Sequence, residues 1–197
     1  IKNGLLSVGP ESAGADPGPA CYGAGGPLTV TDINLLSGKL IPSEFGIPVS
    51  IDQAEKALTS LAEELTKQSG RHYSKEELIN AFTQIANEKM AEAIRKISLA
   101  KGHDPKEYCL ISFGGAGGQH ATGIAEVLGI QNIIIPYEAG LLSAYGIGVA
   151  DIEAFEESLL LKPWPVPNIE AEWKTLQEAA CRQLVSSGFK KKEIDIK

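Results

Sequence analysis

Two stretches of the chain carry residue types arranged for chemistry. Residues 8–28 hold Glu11, Ser12, Asp16 and Cys21 among six glycines and four prolines in twenty-one residues. Proline and glycine at that density forbid a regular helix. Rigid prolines between polar side chains suit an ordered loop that presents those side chains, more than a flexible linker. Two carboxylates and a hydroxyl within six residues can orient a water, a magnesium ion or a substrate N–H group. The same groups can instead cap turns, as Asp before Pro often does, and the residues alone leave both readings open. Cys21 is a weaker nucleophile candidate, because nothing beside it marks a base or a lowered pKa.

The second stretch is YCLISFGGAGGQH, residues 108–120. Leu110, Ile111 and Phe113 predict a short buried strand. Gly114, Gly115, Ala116, Gly117 and Gly118 then leave almost no side chain on the turn into the next helix. A P-loop needs a Lys-Ser/Thr pair after its last glycine, and Gln119-His120 stands there instead. A dinucleotide fingerprint needs a third glycine where His120 stands. Two readings survive: a close backbone approach to something flat or anionic, or a tight turn packed against another backbone.

The surrounding elements must position these stretches. Ile124, Ala125, Val127 and Leu128 supply one apolar face of a helix over residues 121–128, ended by Gly129. Ile133, Ile134 and Ile135 predict a second buried strand, stopped by Pro136. The result is a βαβ unit with its glycine turn at the carboxyl end of the first strand, where open α/β sheets bind ligands. Upstream, residues 5–8 read as a strand entered midway. Residues 29–38 predict a short helix with Thr31 or Asp32 as N-cap and Gly38 at its end. Ser50-Ile51-Asp52-Gln53 and Ser74-Lys75-Glu76-Glu77 are capping-box patterns, each opening an amphipathic helix. The first carries Ala54, Leu58, Leu61 and Leu65 on one face and stops at Gly70. The second runs roughly 25 residues, about 37 Å, with Leu78, Phe82, Ile85, Met90, Ile94 and Ile97 toward a core. Asn87, Glu88, Arg95 and Lys96 read as its solvated face.

Glycines 140, 146 and 148 around Ser143-Ala144 predict small residues packed where a helix meets the sheet. Residues 158–161 read as a strand and residues 169–187 as an amphipathic helix. A domain boundary is expected near Asp151 to Glu153, giving domains 1–152 and 153–197.

Length and composition set the outer bounds. With 197 residues, 43% hydrophobic and 22% charged, the chain can bury a sizeable core. A net charge of −7 disfavours nucleic acid or an anionic membrane as partner. No apolar run approaches the ~20 residues of a membrane span. Cys21, Cys109 and Cys181 are widely spaced, without a CxxC pair, and read as reduced thiols in a cytoplasmic protein. The abrupt Ile1-Lys2-Asn3-Gly4 start, with no initiator Met or signal peptide, suggests a fragment of a longer protein.

VGPESAGADPGPACYG (residues 8–23) with GGPLTVTDINLLSGKL (25–40) resembles the signature of the hydantoinase A/5-oxoprolinase family. KGHDPKEYCLISFGGAGGQHATGIAEVLG (101–129) and GLLSAYGIGVAD (140–151) resemble two further family signatures. The Gly118-Gln119-His120 version is similar to the ATP-dependent 5-oxoprolinase branch, whereas N-methylhydantoinase and ketone carboxylase subunits more often place a proline there.

The resemblance implies an α/β fold, part of an actin/Hsp70-like (ribonuclease H-like) ATPase, followed by the start of a C-terminal domain. It implies ATP and Mg²⁺ as cofactors and hydrolysis of 5-oxo-L-proline to L-glutamate, because a lactam is resonance-stabilised and phosphorylation of its carbonyl oxygen activates it. It matches Gly114, Gly115, Ala116, Gly117 and Gly118 to the turn that contacts adenosine. His120 either joins that contact or caps the sheet. Glu11, Ser12 and Asp16 fall to substrate or water positioning, and no residue is assigned to the metal. No phosphate loop of the Asp-x-Gly-Gly-Thr type occurs in the sequence. The partners implied are a small cyclic amide and a hydantoinase B-like region or subunit, with a homo-oligomer left open. Another cyclic-amide hydrolase, a carboxylase subunit and a non-catalytic nucleotide-binding scaffold remain as alternatives.

Overall fold

The two longest helices begin where a serine hydroxyl accepts from an amide of the first turn. In the computed structural model, which describes residues 6–161, 163 and 165–196, Ser50 Oγ accepts from Gln53 N–H (3.3 Å) and opens α2, Ile51–Ser69. Ser74 Oγ accepts from Glu77 N–H (3.1 Å) while the Glu77 carboxylate accepts from Ser74 N–H (2.9 Å), a complete capping box opening α3, Lys75–Ala100. The shorter α1, Val30–Leu36, is capped by Thr29. Neither Thr31 nor Asp32 is the N-cap; Asp32 lies inside the first turn as the acidic partner of Thr29.

The chain divides into two compact units, Ile1–Ala144 and Tyr145–Lys197. In the first, α3 is the common wall. Its first half packs Leu78 and Phe82 with Ile33 of α1 and with Leu58 and Leu65 of α2. Its second half packs Ala91 against Ile124, Ala125 and Leu128 of α4, Ala121–Leu128. Gly129 ends α4 in the left-handed conformation (φ 71°), a geometry glycine adopts without a Cβ penalty. Strands β1, Leu110–Ile111, and β2, Ile133–Ile134, pair in parallel with Leu110 opposite Ile133 and Ile111 opposite Ile134. They flank α4 in sequence, so the βαβ unit forms as expected.

Several expectations are corrected. Both strands are half exposed, not buried. Leu110 and Ile133 reach the α4 cluster, but Ile111, Phe113, Ile134 and Ile135 stand open to solvent among the described residues. Strand residues alternate in facing, and one helix covers one face. Residues 6–8 form no strand, and Leu5 lies outside the described residues. Ile97 is 62% exposed, because α3 outruns the elements packed on it. Asn87 is buried, not solvated. Among the described residues an added Cβ at Gly140, Gly146 or Gly148 meets no atom within 4 Å, and α5, Leu142–Val149, buries no residue, so the expected close packing at these glycines is not seen there. In the second unit residues 158–161 have no strand structure, and α6, Ile169–Ser186, buries no side chain.

The loop of residues 8–28 is ordered from beneath by one carboxylate. Asp32 is fully buried and accepts hydrogen bonds from the Cys21 N–H (2.7 Å), the Ala20 N–H (3.3 Å), the Thr29 N–H (2.7 Å) and the Thr29 hydroxyl (2.9 Å). Amide donors and the first turn of α1 supply the positive potential that holds a buried carboxylate. The loop also folds on itself so closely that a Cβ at Gly26 would fall 1.8 Å from the Gly18 carbonyl oxygen.

Asp32→Asn turns an –NH₂ toward at least one of these donors, leaving it unsatisfied. It should cost about 2–4 kcal/mol in chemical denaturation of the protein. A loss below about 0.5 kcal/mol would mean that the loop holds without the carboxylate.

Candidate functional site

The glycine turn is open on its outer side and anchored on its inner side. A Cβ added at Gly114, Gly115 or Gly118 would meet nothing within 4 Å, and only Gly117 is tight, 3.1 Å from Ser112 Oγ. Among the described residues the space beside Gly114, Gly115 and Gly118 is therefore open. Gly114 has φ +83°, a conformation that disfavours any side chain, and its N–H donates to the Ala139 carbonyl (2.7 Å) just beyond β2. Residues Gly117–Gln119 form a short 3-10 turn leading into α4.

Glycines offer no side-chain anchors, and the two residues that follow supply them. The Asn34 side-chain amide of α1 donates to Gln119 Oε1 (2.6 Å) and to His120 Nε2 (2.9 Å). His120 Nδ1 lies 2.9 Å from Asn87 Oδ1 on α3. The acceptor at Nε2 and the acceptor oxygen facing Nδ1 assign the imidazole as the neutral Nδ1–H tautomer. Burial pushes the His120 pKa below its ordinary value, with a further contribution from Lys39. Gly123 makes room for this arrangement, since a Cβ there would fall 2.1 Å from Asn87 Nδ2. Both imidazole nitrogens are thus engaged inside the protein.

The loop candidates lie on the surface. Glu11, Ser12 and Asp16 are exposed. Ser12 Oγ accepts from the Gly14 N–H (3.1 Å), closing a local turn. Among the described residues neither Ser12 nor Asp16 hydrogen-bonds to the glycine turn. Cys21 is buried beneath the loop, its thiol pushed up to about 12 by burial and then by the hydrogen bond and charge of Asp32. A thiol so protonated is no nucleophile near neutral pH. Among the described residues no group of three or more His, Cys, Asp or Glu side chains is placed to hold a metal ion.

Residues 1–156 match the hydantoinase/oxoprolinase family model. The chain belongs to this family. It is 38% identical to a 5-oxoprolinase of Saccharomyces cerevisiae, over 98% of this chain and 16% of that protein. It is similar to the crystal structure of an ATP-dependent caprolactamase from Pseudomonas jessenii, at a TM-score of 0.67 and 32% identity, covering 96% of this chain and 28% of that one. An acetone carboxylase structure described as nucleotide-free shares the fold, at a TM-score of 0.66 and 24% identity over 94% of this chain and 28% of that one. The fold is accordingly α/β, of the actin-like ATPase type. The chain spans about one sixth of the length of the yeast relative.

Within this hydantoinase-family chain, the sequence pattern singled out no role for Asn34, offered Asp32 as an N-cap and Asn87 as a solvated residue, and used Gln119 to exclude a P-loop. One signal was available: Asp32 and Asn34 alternate with Ile33, Leu35 and Leu36, and polar residues inside so apolar a helix must find buried partners.

Because folding holds His120 neutral, the unfolded chain takes up a proton near pH 6.5 before the folded chain does. The stability linked to His120 is complete above that pH and is lost as pH falls toward the lower folded value. Melting temperatures of the protein at pH 7.5, 6.5 and 5.5 should fall more steeply than those of His120→Gln. Parallel curves would remove His120 from the acid response.

Proposed function

We propose that this chain is part of a longer ATP-dependent 5-oxoprolinase, which hydrolyses 5-oxo-L-proline to L-glutamate with ATP cleavage. The observation that carries the reading is the open backbone of Gly114, Gly115 and Gly118, with the small, exposed Ala116 between them and Gly117 seated against Ser112, at the end of β1. A flat adenine or ribose needs such close backbone approach, and no side chain in the turn obstructs it. The 38% identity to the yeast 5-oxoprolinase supports the substrate assignment. ATP, when bound, supplies the phosphoryl group that activates the resonance-stabilised amide. In this reading the turn takes the adenosine side of ATP, while His120 holds the turn from beneath.

Glu11, Ser12 and Asp16 are assigned to orienting the cyclic amide or the attacking water. Phosphate contacts and Mg²⁺ are assigned to residues outside this sequence, since it contains no Asp-x-Gly-Gly-Thr loop. The exposed apolar side chains of Ile111, Phe113, Ile134 and Ile135 suit coverage by further chain. A hydantoinase B-like region or subunit is the expected partner, the cytoplasm the expected compartment, and Asp151 to Glu153 the expected domain boundary. The similarity to caprolactamase and acetone carboxylase structures keeps a second reading, another cyclic-amide hydrolase or a carboxylase subunit of the family.

The test is glutamate release from 5-oxoproline by the full-length protein, with and without ATP, against hydantoin and caprolactam controls. Turnover restricted to 5-oxoproline and dependent on ATP is expected, and turnover of another amide alone would select the second reading. In the same assay Asp16→Asn and Glu11→Gln should lower kcat by about 10²–10⁴ if they orient the reacting groups. Near-normal turnover would reduce both to turn formers. Residues 1–197 alone should produce no ADP above a mock purification.

A further inference from the structure

Helix α1 is seven residues long and carries two buried polar side chains, Asp32 and Asn34. Residues two apart on a helix do not share a face. Asp32 accordingly reaches the backbone of the substrate-candidate loop at Ala20, Cys21 and Thr29. Asn34 reaches the opposite way, to Gln119 and His120 at the end of the glycine turn. Ile33 and Leu35, beside them in sequence, lock the helix into two apolar clusters. One short element therefore contacts both candidate binding segments, and its hydrogen bond to each runs through one polar side chain, Asp32 to the loop and Asn34 to the turn's end.

The glycine turn depends on this hold. Four of its five residues are glycine, which has more backbone freedom to lose than any other residue. At its carboxyl end the side chains of Gln119 and His120 are its anchors, and Asn34 bridges the two. Asn34 is 3% exposed, yet among the described residues its Oδ1 has no hydrogen-bond partner. An unsatisfied buried acceptor is costly. A leucine would fill similar volume without that penalty, so packing alone does not account for an amide here.

We propose that Asn34 is a positioning residue. Through Gln119 and His120 it pre-orders the glycine turn for nucleotide and, with Asp32 on the same helix, couples that turn to the loop carrying Glu11, Ser12 and Asp16. This rests on the reading above, that the turn takes ATP and the loop takes the cyclic amide. Occupancy of either segment then favours the arrangement of α1 that suits the other, and linkage makes the effect reciprocal.

The experiment measures, in the full-length enzyme, KM for ATP, kcat, and the factor by which 5-oxoproline tightens ATP binding. Wild type is compared with Asn34→Leu and with Gln119→Ala, which removes one anchor and leaves the His120 pair. Leu58→Ala, in the apolar core, serves as a control for lost stability. Asn34→Leu should raise KM for ATP about tenfold by making binding order the turn, with kcat changed less than about threefold. It should also bring the tightening factor, ordinarily about 5–150-fold in coupled systems, close to one. Gln119→Ala should move both quantities in the same direction by a smaller amount. Leu58→Ala should lower the melting temperature and leave both unchanged.

Wild-type KM and tightening factor in Asn34→Leu, with only its melting temperature lowered, would overturn the proposal. If Asn34→Leu does not fold, Gln119→Ala decides by the same two readouts. Equal KM changes in Leu58→Ala and Asn34→Leu would overturn it also, by assigning the effect to general destabilisation. A wild-type enzyme that neither binds ATP nor turns over 5-oxoproline would instead refute the functional reading, and the coupling with it.

Discussion

A loop built from glycine and proline has few apolar side chains with which to hold itself down. Here the Asp32 carboxylate replaces them, accepting hydrogen bonds from the Ala20, Cys21 and Thr29 amides and from the Thr29 hydroxyl. Everything above α1 depends on that constraint. The loop's backbone is fixed at two points eight or nine residues apart, so Glu11, Ser12 and Asp16 extend from a defined base. Burial beneath the loop, and then the hydrogen bond and charge of Asp32, push the Cys21 thiol up and hold it protonated. An anion can serve here because its donors are amides whose positions are fixed by the chain turning around it.

Across α1 the logic repeats with neutral groups. The Asn34 amide, the His120 imidazole and the Asn87 side chain form a line of short hydrogen bonds joining α1, the start of α4 and α3. Gly123 is the space that lets Asn87 enter it. The glycine turn thus combines an outer surface whose one side chain is the methyl group of Ala116 with an inner edge held by polar groups. That combination suits a binding surface for a flat ligand, because the backbone can be approached closely without being free to wander.

The helices were legible because their signals are local. Ser50 and Ser74 each precede an acid or amide at the correct spacing, and Gly70 and Gly129 end helices by adopting positive φ. The family was legible because its signatures are long ordered runs. Burial was less so. Three consecutive isoleucines at 133–135 signal a covered strand, yet which face is covered depends on neighbours that no local pattern encodes. Asn87 looked like a solvated position alongside Glu88, Arg95 and Lys96, and only the approach of α4 makes it a partner of His120. Asp32 looked like a cap because the residues it restrains lie eleven and twelve positions earlier. Buried polar contacts of that separation are set by the fold, not by spacing.

The central claim is that the glycine turn is the face that meets the nucleotide base. Photolabelling of the full-length protein with 8-azido-ATP, followed by peptide mapping, tests it most directly. The account predicts label in the peptide spanning residues 108–129, suppressed by excess ATP and diminished in Gly115→Val, whose added side chain would enter open space without disturbing the fold. ATP-suppressible label confined to other peptides, with this one unmodified, would contradict it.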